Sequence, residues 1–212
     1  PTRVKDAASV PAVRLTVGIC DSLPKMVAHR LLLPVIGVKN LKLTCYEGQL
    51  DDLLGDLALH RLDVVLSDRP ASFNPNIKLY SHALGVTDIA WYGNSKMVKA
   101  SQRNFPKCLE TIPVLLPTAH TAVRDRLDHW FEQRAIKPNI VGEFEDSALL
   151  KTFGANGMGV FPAAEWVHAD LTAHYAVHRL GACEGVKEHF FAIGTERKVQ
   201  HPLVQQLLQQ KL

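Results

Sequence analysis

Twice in its first 66 residues the chain passes from a short apolar strand pattern into an amphipathic helix pattern. This order restricts the fold more than any single motif. Val13, Leu15, Val17 and Ile19 alternate with Arg14, Thr16 and Gly18, so Val13–Cys20 reads as a strand. Asp21 or Ser22 is placed to cap a helix with Pro24 in its first turn. Leu23, Val27, Arg30 and Leu31 trace that helix to a stop at Pro34. Leu41, Leu43 and Cys45 alternate as a second strand, closed by a Glu47-Gly48 turn. Leu50, Leu53, Leu54 and Leu57 then recur at i, i+3, i+4 and i+7, one face of a helix. The run Leu62–Leu66 has the density of a strand buried on both faces. Two βα units feeding a third buried strand imply a parallel sheet with right-handed crossovers.

After Pro70 the texture changes. Ile77–Leu84 and Val86–Gly93 read as two strands with little between them, leading into a second lobe. That lobe holds a strand at Val114–Leu116 and a helix from Ala122 to Arg134 with Val123, Leu127, Trp130 and Phe131 on one face. A strand at Asn139–Phe144, a helix at Ser147–Asn156 and a strand at Gly159–Phe161 follow. Residues 164–183 show no clear period. His189–Gly194 is a further strand, and His201-Pro202 opens a last helix with Leu203, Val204, Leu207 and Leu208 inward. The expected fold is α/β and two-lobed, each lobe a mixed, mostly parallel sheet with flanking helices. Lobe I takes residues 13–86 and 195–212, and lobe II takes 87–194. Residues 1–12, without a period and with prolines at 1 and 11, read as a linker tail.

Composition narrows the function. Of 212 residues, 47% are hydrophobic and 21% charged, as in a folded globular chain. A net charge of +3 without a basic stripe gives no nucleic-acid surface. No apolar run approaches the ~20 residues of a membrane span, and no signal peptide is visible. Cys20, Cys45, Cys108 and Cys183 form no Cys-x-x-Cys pair. They read as free thiols suited to a reducing cytoplasm, with Cys20 and Cys45 as small buried hydrophobes at strand ends. The chain opens at Pro1 without Met and reads as a piece of something longer.

Catalytic motifs are missing. There is no phosphate-binding Gly-x4-Gly-Lys-Ser/Thr loop, no dinucleotide fingerprint and no Gly-x-Ser-x-Gly elbow. Ser22, Ser67 and Ser147 have no base partner in sequence, and no cofactor is expected. His168, His174 and His178 are close together, with His174 and His178 four apart as on one helical face, but they lack a zinc-site spacing. Glu143, Glu145 and Asp146 are the candidates for a hard cation, and the alternative is a solvated or capping role. Asp146 or Ser147 suits a helix N-cap. Gly154, Gly157 and Gly159 follow that helix and read as its C-cap and a tight turn. Polar residues collect at the predicted carboxyl ends of strands: Asp21, Ser22, Glu47, Ser67, Asp68, Thr118, His120, Asp146 and Ser147. In open α/β sheets that edge faces the ligand crevice, so these nine form the candidate site for a small polar ligand.

Four segments resemble one family: VRLTVGICDSLP (13–24), LHRLDVVLSD (59–68), MGVFPAAEW (158–166) and HPLVQQLL (201–208). The layout is similar to the effector-binding domain of LysR-type transcriptional regulators, a fold of the periplasmic-binding-protein type 2 class. FPKCLE (105–110), LDHWFEQRAI (127–136), GEFEDSALLKTFGA (142–155) and ERKVQHPLVQ (196–205) narrow the likeness to activators of sodium/proton antiporter genes. The resemblance implies an effector between the lobes, either sodium ion or a small organic molecule. It also implies a homodimer or tetramer assembled through this domain, and DNA contact only through an N-terminal winged helix-turn-helix outside this sequence. Two other readings share the lobes: a solute-binding protein of a transport system, and an enzyme on the same scaffold.

Overall fold

The computed structural model describes residues 10–197 and 199–210. Most of the expected tail at 1–12 therefore lies outside the described residues, as do the last two residues of the expected first lobe. Strand β1 (Val13–Cys20) leads into helix α1 (Lys25–Ile36), strand β2 (Leu41–Gly48), helix α2 (Leu50–Ala58) and strand β3 (Val64–Ser67). β1 pairs in parallel with β2 on one side and β3 on the other, as two successive βα units in one sheet require. Leu15, Val17, Val64 and Leu66 are buried with Val27, Leu31 and Val35 of α1. On the other face, Val65 packs with Leu53, Leu54 and Leu57 of α2. Each such aliphatic side chain contributes roughly 1.5–3 kcal/mol on burial.

Two long antiparallel strands then carry the sheet onward. β4 (Tyr80–Gly93) and β8 (His178–Gly194) pair along almost their whole length, and β8 also pairs with β3. Helix α3 (Ser95–Ser101), strand β5 (Val114–Pro117), helix α4 (Ala122–Gln133) and strand β6 (Ile140–Phe144) follow β4. Helix α5 (Ser147–Ala155), strand β7 (Phe161–Ala164) and helix α6 (His168–Tyr175) come before β8, and α7 (Pro202–Leu208) after it. The order among the described strands is β2-β1-β3-β8-β4-β7 in one mixed sheet and β5-β6 in a small parallel one. A bridge from Val114 to Val160 joins the small sheet to the approach of β7. No helix among the described residues is long and apolar enough to cross a membrane.

Several sequence expectations are corrected here. The strands expected at 77–84 and 86–93 are one strand, Tyr80–Gly93, with a register shift between Ala83 and Gly85 beside the buried Leu84, and Ile77 forms only an isolated bridge to Asn74. β8 begins eleven residues before the apolar run His189–Gly194. Its first half, HRLGACEGV, has no alternation of apolar and polar residues and pairs as a strand against β4. The Glu47-Gly48 turn is instead the end of β2, paired with Ile19 and Cys20. Pro34 does not stop α1, which runs to Ile36, because a missing N–H in the last turn removes only one hydrogen bond. Neither Asp21 nor Ser22 caps that helix: Pro24 holds the N-cap position without a side-chain bond. Cys20 is buried but Cys45 is exposed, since β2 is an edge strand with one wet face. β7 starts at Phe161, beyond the expected Gly159. His174 lies on α6 and His178 opens β8, so the two share no helix.

Candidate functional site

The carboxyl ends of β1 and β3 lie side by side, and the chain leaving them is polar. The Ser22 hydroxyl donates to Asp68 Oδ1 at 2.9 Å, and Arg69 Nε donates to the same oxygen at 3.2 Å. Asp68 Oδ2 accepts the backbone N–H of Ala122 at 3.0 Å, at the head of α4. α4 has no capping bond from its own N-cap residue, Thr121, so Asp68 supplies one across 54 residues of sequence. The far end of the Arg69 guanidinium donates to the His120 carbonyl. Asp68 is 2% exposed, so its charge is stabilised by these donors and not by water.

The facing wall comes from α5 and β8. Asp146 accepts the N–H groups of Ala148 and Leu149 at 2.7 and 3.4 Å and is the N-cap of α5. Ser147, Leu150, Lys151 and Gly154 follow at helical spacing. Lys151 is buried and donates from Nζ to Ser147 Oγ at 2.7 Å. Glu188 is buried on β8, on the face it shares with Val186, Phe190 and Ala192. Burial pushes the Lys151 ammonium down to about 8, opposed by the attraction of Glu188 and Asp146. Burial likewise pushes Glu188 up to about 7, with Asp68 adding repulsion against the pull of Lys151 and Arg126. Ser22, Asp68, Thr121, Ser147, Lys151 and Glu188 line one cavity of about 40 Å³. That is room for a small cluster of waters or a few-atom ligand.

Beside it, Asp21, Lys25, Glu47, Glu145 and Asp146 line a mouth pocket of about 240 Å³. Lys25 reaches Glu47 at 3.0 Å and Asp146 at 4.0 Å. His120 Nε2 lies 2.6 Å from Asp21 Oδ1 and 3.7 Å from Glu145 Oε1. Asp21, His120 and Glu145 thus bring three ligand atoms within 4.8 Å of one another, a group able to hold a cation.

The nine candidate residues separate by place. Ser22, Asp68 and Ser147 line the cavity; Asp21, Glu47 and Asp146 line the mouth. His120 spans the crevice to Asp21. Ser67 is buried and only accepts the Arg69 N–H, while Thr118 holds the turn that carries His120 and Thr121. Of the cation candidates, Glu145 joins the three-residue group and Asp146 caps α5. Glu143 sits on β6 and pairs with Arg124 at 3.3 Å, outside the group. Sequence reasoning missed Lys151, Glu188 and Thr121. The first two left a signal: each is a charged residue on the apolar face of its own element, Lys151 beside Leu150 and Glu188 between Val186 and Phe190.

A two-lobed α/β fold with a polar crevice beyond the strand ends is a ligand-binding class, and its family is specific. The LysR substrate binding domain matches residues 11–211, and the chain belongs to that family. It is 32% identical over 192 residues to the transcriptional activator protein NhaR of Escherichia coli (strain K12), a match covering 90% of this chain. The chain spans about 63% of the length of that relative. Among solved structures, CbnR, a LysR family transcriptional regulator, superposes with a TM-score of 0.69 at 16% identity, over 92% of this chain and 67% of that one. The effector binding domain of QuiR in complex with shikimate gives 0.62 at 14% identity, over 93% and 94%. These structural likenesses show the periplasmic-binding-protein type 2 fold.

Proposed function

We propose that this chain is the sensory half of a DNA-binding transcriptional activator and that a small polar effector binds between its lobes. Residues 13–86 with 195–212 form one lobe and 87–194 the other. DNA is contacted through an N-terminal winged helix-turn-helix outside this sequence, the domain assembles as a homodimer or tetramer, and the protein works in the cytoplasm as a sensor without catalysis. The observation that carries this reading is the cavity itself. Ser22 and Asp68 from one half meet Ser147 and Lys151 from the other around one space, so a ligand there favours one mutual arrangement. A ligand shifts such an equilibrium only through its differential affinity for the two states. A promoter reporter driven by the full-length protein tests it. Ser22→Ala and Ser147→Ala, each of which removes a single hydroxyl from the lining, should change induction while leaving DNA affinity without inducer intact. Unchanged induction in both would remove the cavity from the mechanism.

A second reading places the signal at the mouth. The carboxylates of Asp21, Glu47, Glu145 and Asp146 gather there against the single Lys25 charge, next to His120. Sodium ion, a hard cation that prefers oxygen, is the effector on this reading. The thermal midpoint of the domain in sodium, lithium and potassium chloride at equal ionic strength decides it. A rise with sodium or lithium alone supports it, and equal responses mean only screening.

A further inference from the structure

Lys151 and Glu188 are 4% and 6% exposed, line the same cavity, and form no ion pair with each other. Among the described residues Lys151 has one hydrogen-bond partner, Ser147 Oγ, for three ammonium protons. Glu188 has no side-chain hydrogen bond or ion pair among the described residues, although it is buried. Taking a charge out of water is unfavourable unless a partner compensates it. Direct contact would be the ordinary compensation, yet the two groups stand on different elements, α5 and β8, and do not touch. The lining has two more charged groups: Asp68, already matched by Arg69, Ser22 and the Ala122 N–H, and Glu145, whose exposed carboxylate meets water and lies 3.7 Å from His120 Nε2. The charge left for a ligand is therefore one cation and one anion, held apart.

We infer that the effector is a small zwitterion, its carboxylate taken by Lys151 and its ammonium by Glu188. This rests on the cavity being the effector site. An ion of a single sign would match one of the two groups and leave the other buried charge unpaired. A molecule carrying both charges matches both at once and restores the ordinary ionisation of each group. Apart from Glu145 and the hydroxyl side chains Ser22, Thr121 and Ser147, the rest of the lining is apolar, with Ile89, Pro117, Val123, Leu150, Pro162 and Val167 closing round a small body. A long or branched side chain on the ligand would need the lobes to open further.

Thermal midpoints of this domain test the inference with glycine, β-alanine and γ-aminobutyrate, a series in which the two charges move apart. Acetate and methylammonium are the single-charge controls, all at constant ionic strength. One member of the series should stabilise at a concentration at least about tenfold lower than either control. Lys151→Met and Glu188→Gln should each remove that response. The double variant Lys151→Met with Glu188→Leu, which leaves no unpaired charge, should stay folded and also fail to respond. Equal effects of acetate or methylammonium alone would overturn the zwitterion, as would a response surviving in Lys151→Met. A shift with acetate that Ser22→Ala abolishes would keep the cavity as the effector site and discard only the ligand class. No shift with any probe overturns the class as well, and the reporter assay then judges the cavity separately.

Discussion

Asp68 caps a helix to which it does not belong: its Oδ2 accepts the Ala122 N–H while Oδ1 holds Ser22 and Arg69. One buried carboxylate thereby joins the ends of β1 and β3 to the first turn of α4. Asp68→Ala leaves the Ser22 hydroxyl and the Ala122 N–H without their acceptor and Arg69 without its counter-charge. We expect a loss of about 2–3 kcal/mol, discounted because Arg69 is partly exposed. Urea denaturation with an unchanged slope measures it, and a loss below about 0.5 kcal/mol would mean that water replaces the carboxylate without cost.

Glu188 makes the stability depend on pH in a direction opposite to an ordinary paired carboxylate. Its folded value is raised from 4.5 to about 7. Below the lower value both folded and unfolded chains hold the proton. As pH rises the unfolded chain releases it first, so stability falls through this window and the loss is complete above the higher value. Glu188→Gln should match the parent near pH 4 and exceed it at pH 8 by roughly 2–3 kcal/mol. A constant difference at all pH values would show that the carboxyl does not titrate as its burial dictates.

Lys151 works in the mirror sense. Its folded value is lowered from 10.5 to about 8, so its contribution is intact above the first figure and lost as pH falls through the second. Lys151→Met should therefore stabilise the unliganded domain at neutral pH by on the order of 1–3 kcal/mol. Thermal melts at pH 7 and pH 10.5 should show this gain shrinking at the higher pH.

Gly154 lies within α5, where alanine is ordinarily better by up to ~1 kcal/mol. A Cβ there would come within 2.2 Å of the Phe161 ring, which is fully buried. Overpacking wins, and Gly154→Ala should cost about 1–3 kcal/mol. The reading of this glycine as a C-cap is thus replaced by close packing. Gly157, at φ +90, is the residue that turns the chain after the helix.

Asp146 separates capping from ligand binding. Asp146→Ala should cost about 1 kcal/mol, whereas Asp146→Ser keeps a capping oxygen and most of the stability. If Asp146→Ser nonetheless removes a sodium-specific rise in midpoint, the charge itself takes part at the mouth; an unaltered rise leaves Asp146 only its cap.

The chain's periodicity was enough for β1, α2, α4 and α5, because each has its own apolar stripe. It failed for β8, whose first half, HRLGACEGV, buries Leu180, Cys183 and Val186 three apart without the alternation of a strand and pairs with β4 only in the fold. The same division holds at the crevice. Ser22, Asp68 and Ser147 could be named from their position after predicted strands, a local property. Lys151 and Glu188 could not, since a charged residue on an apolar face has no meaning until the opposite wall is known.

Residue order by itself determined the alternation of strands and helices, the two-lobed α/β class, the family likeness and a helix cap at Asp146 or Ser147. These rest on hydrophobic period and hydrogen bonding within a few residues. Tertiary structure alone decided that Asp68 caps α4, that His120 meets Asp21, and that Lys151 and Glu188 face one cavity unpaired. Those relations span 54, 99 and 37 residues of sequence. Burial and charge act through space, so only the folded chain brings such groups close enough to interact.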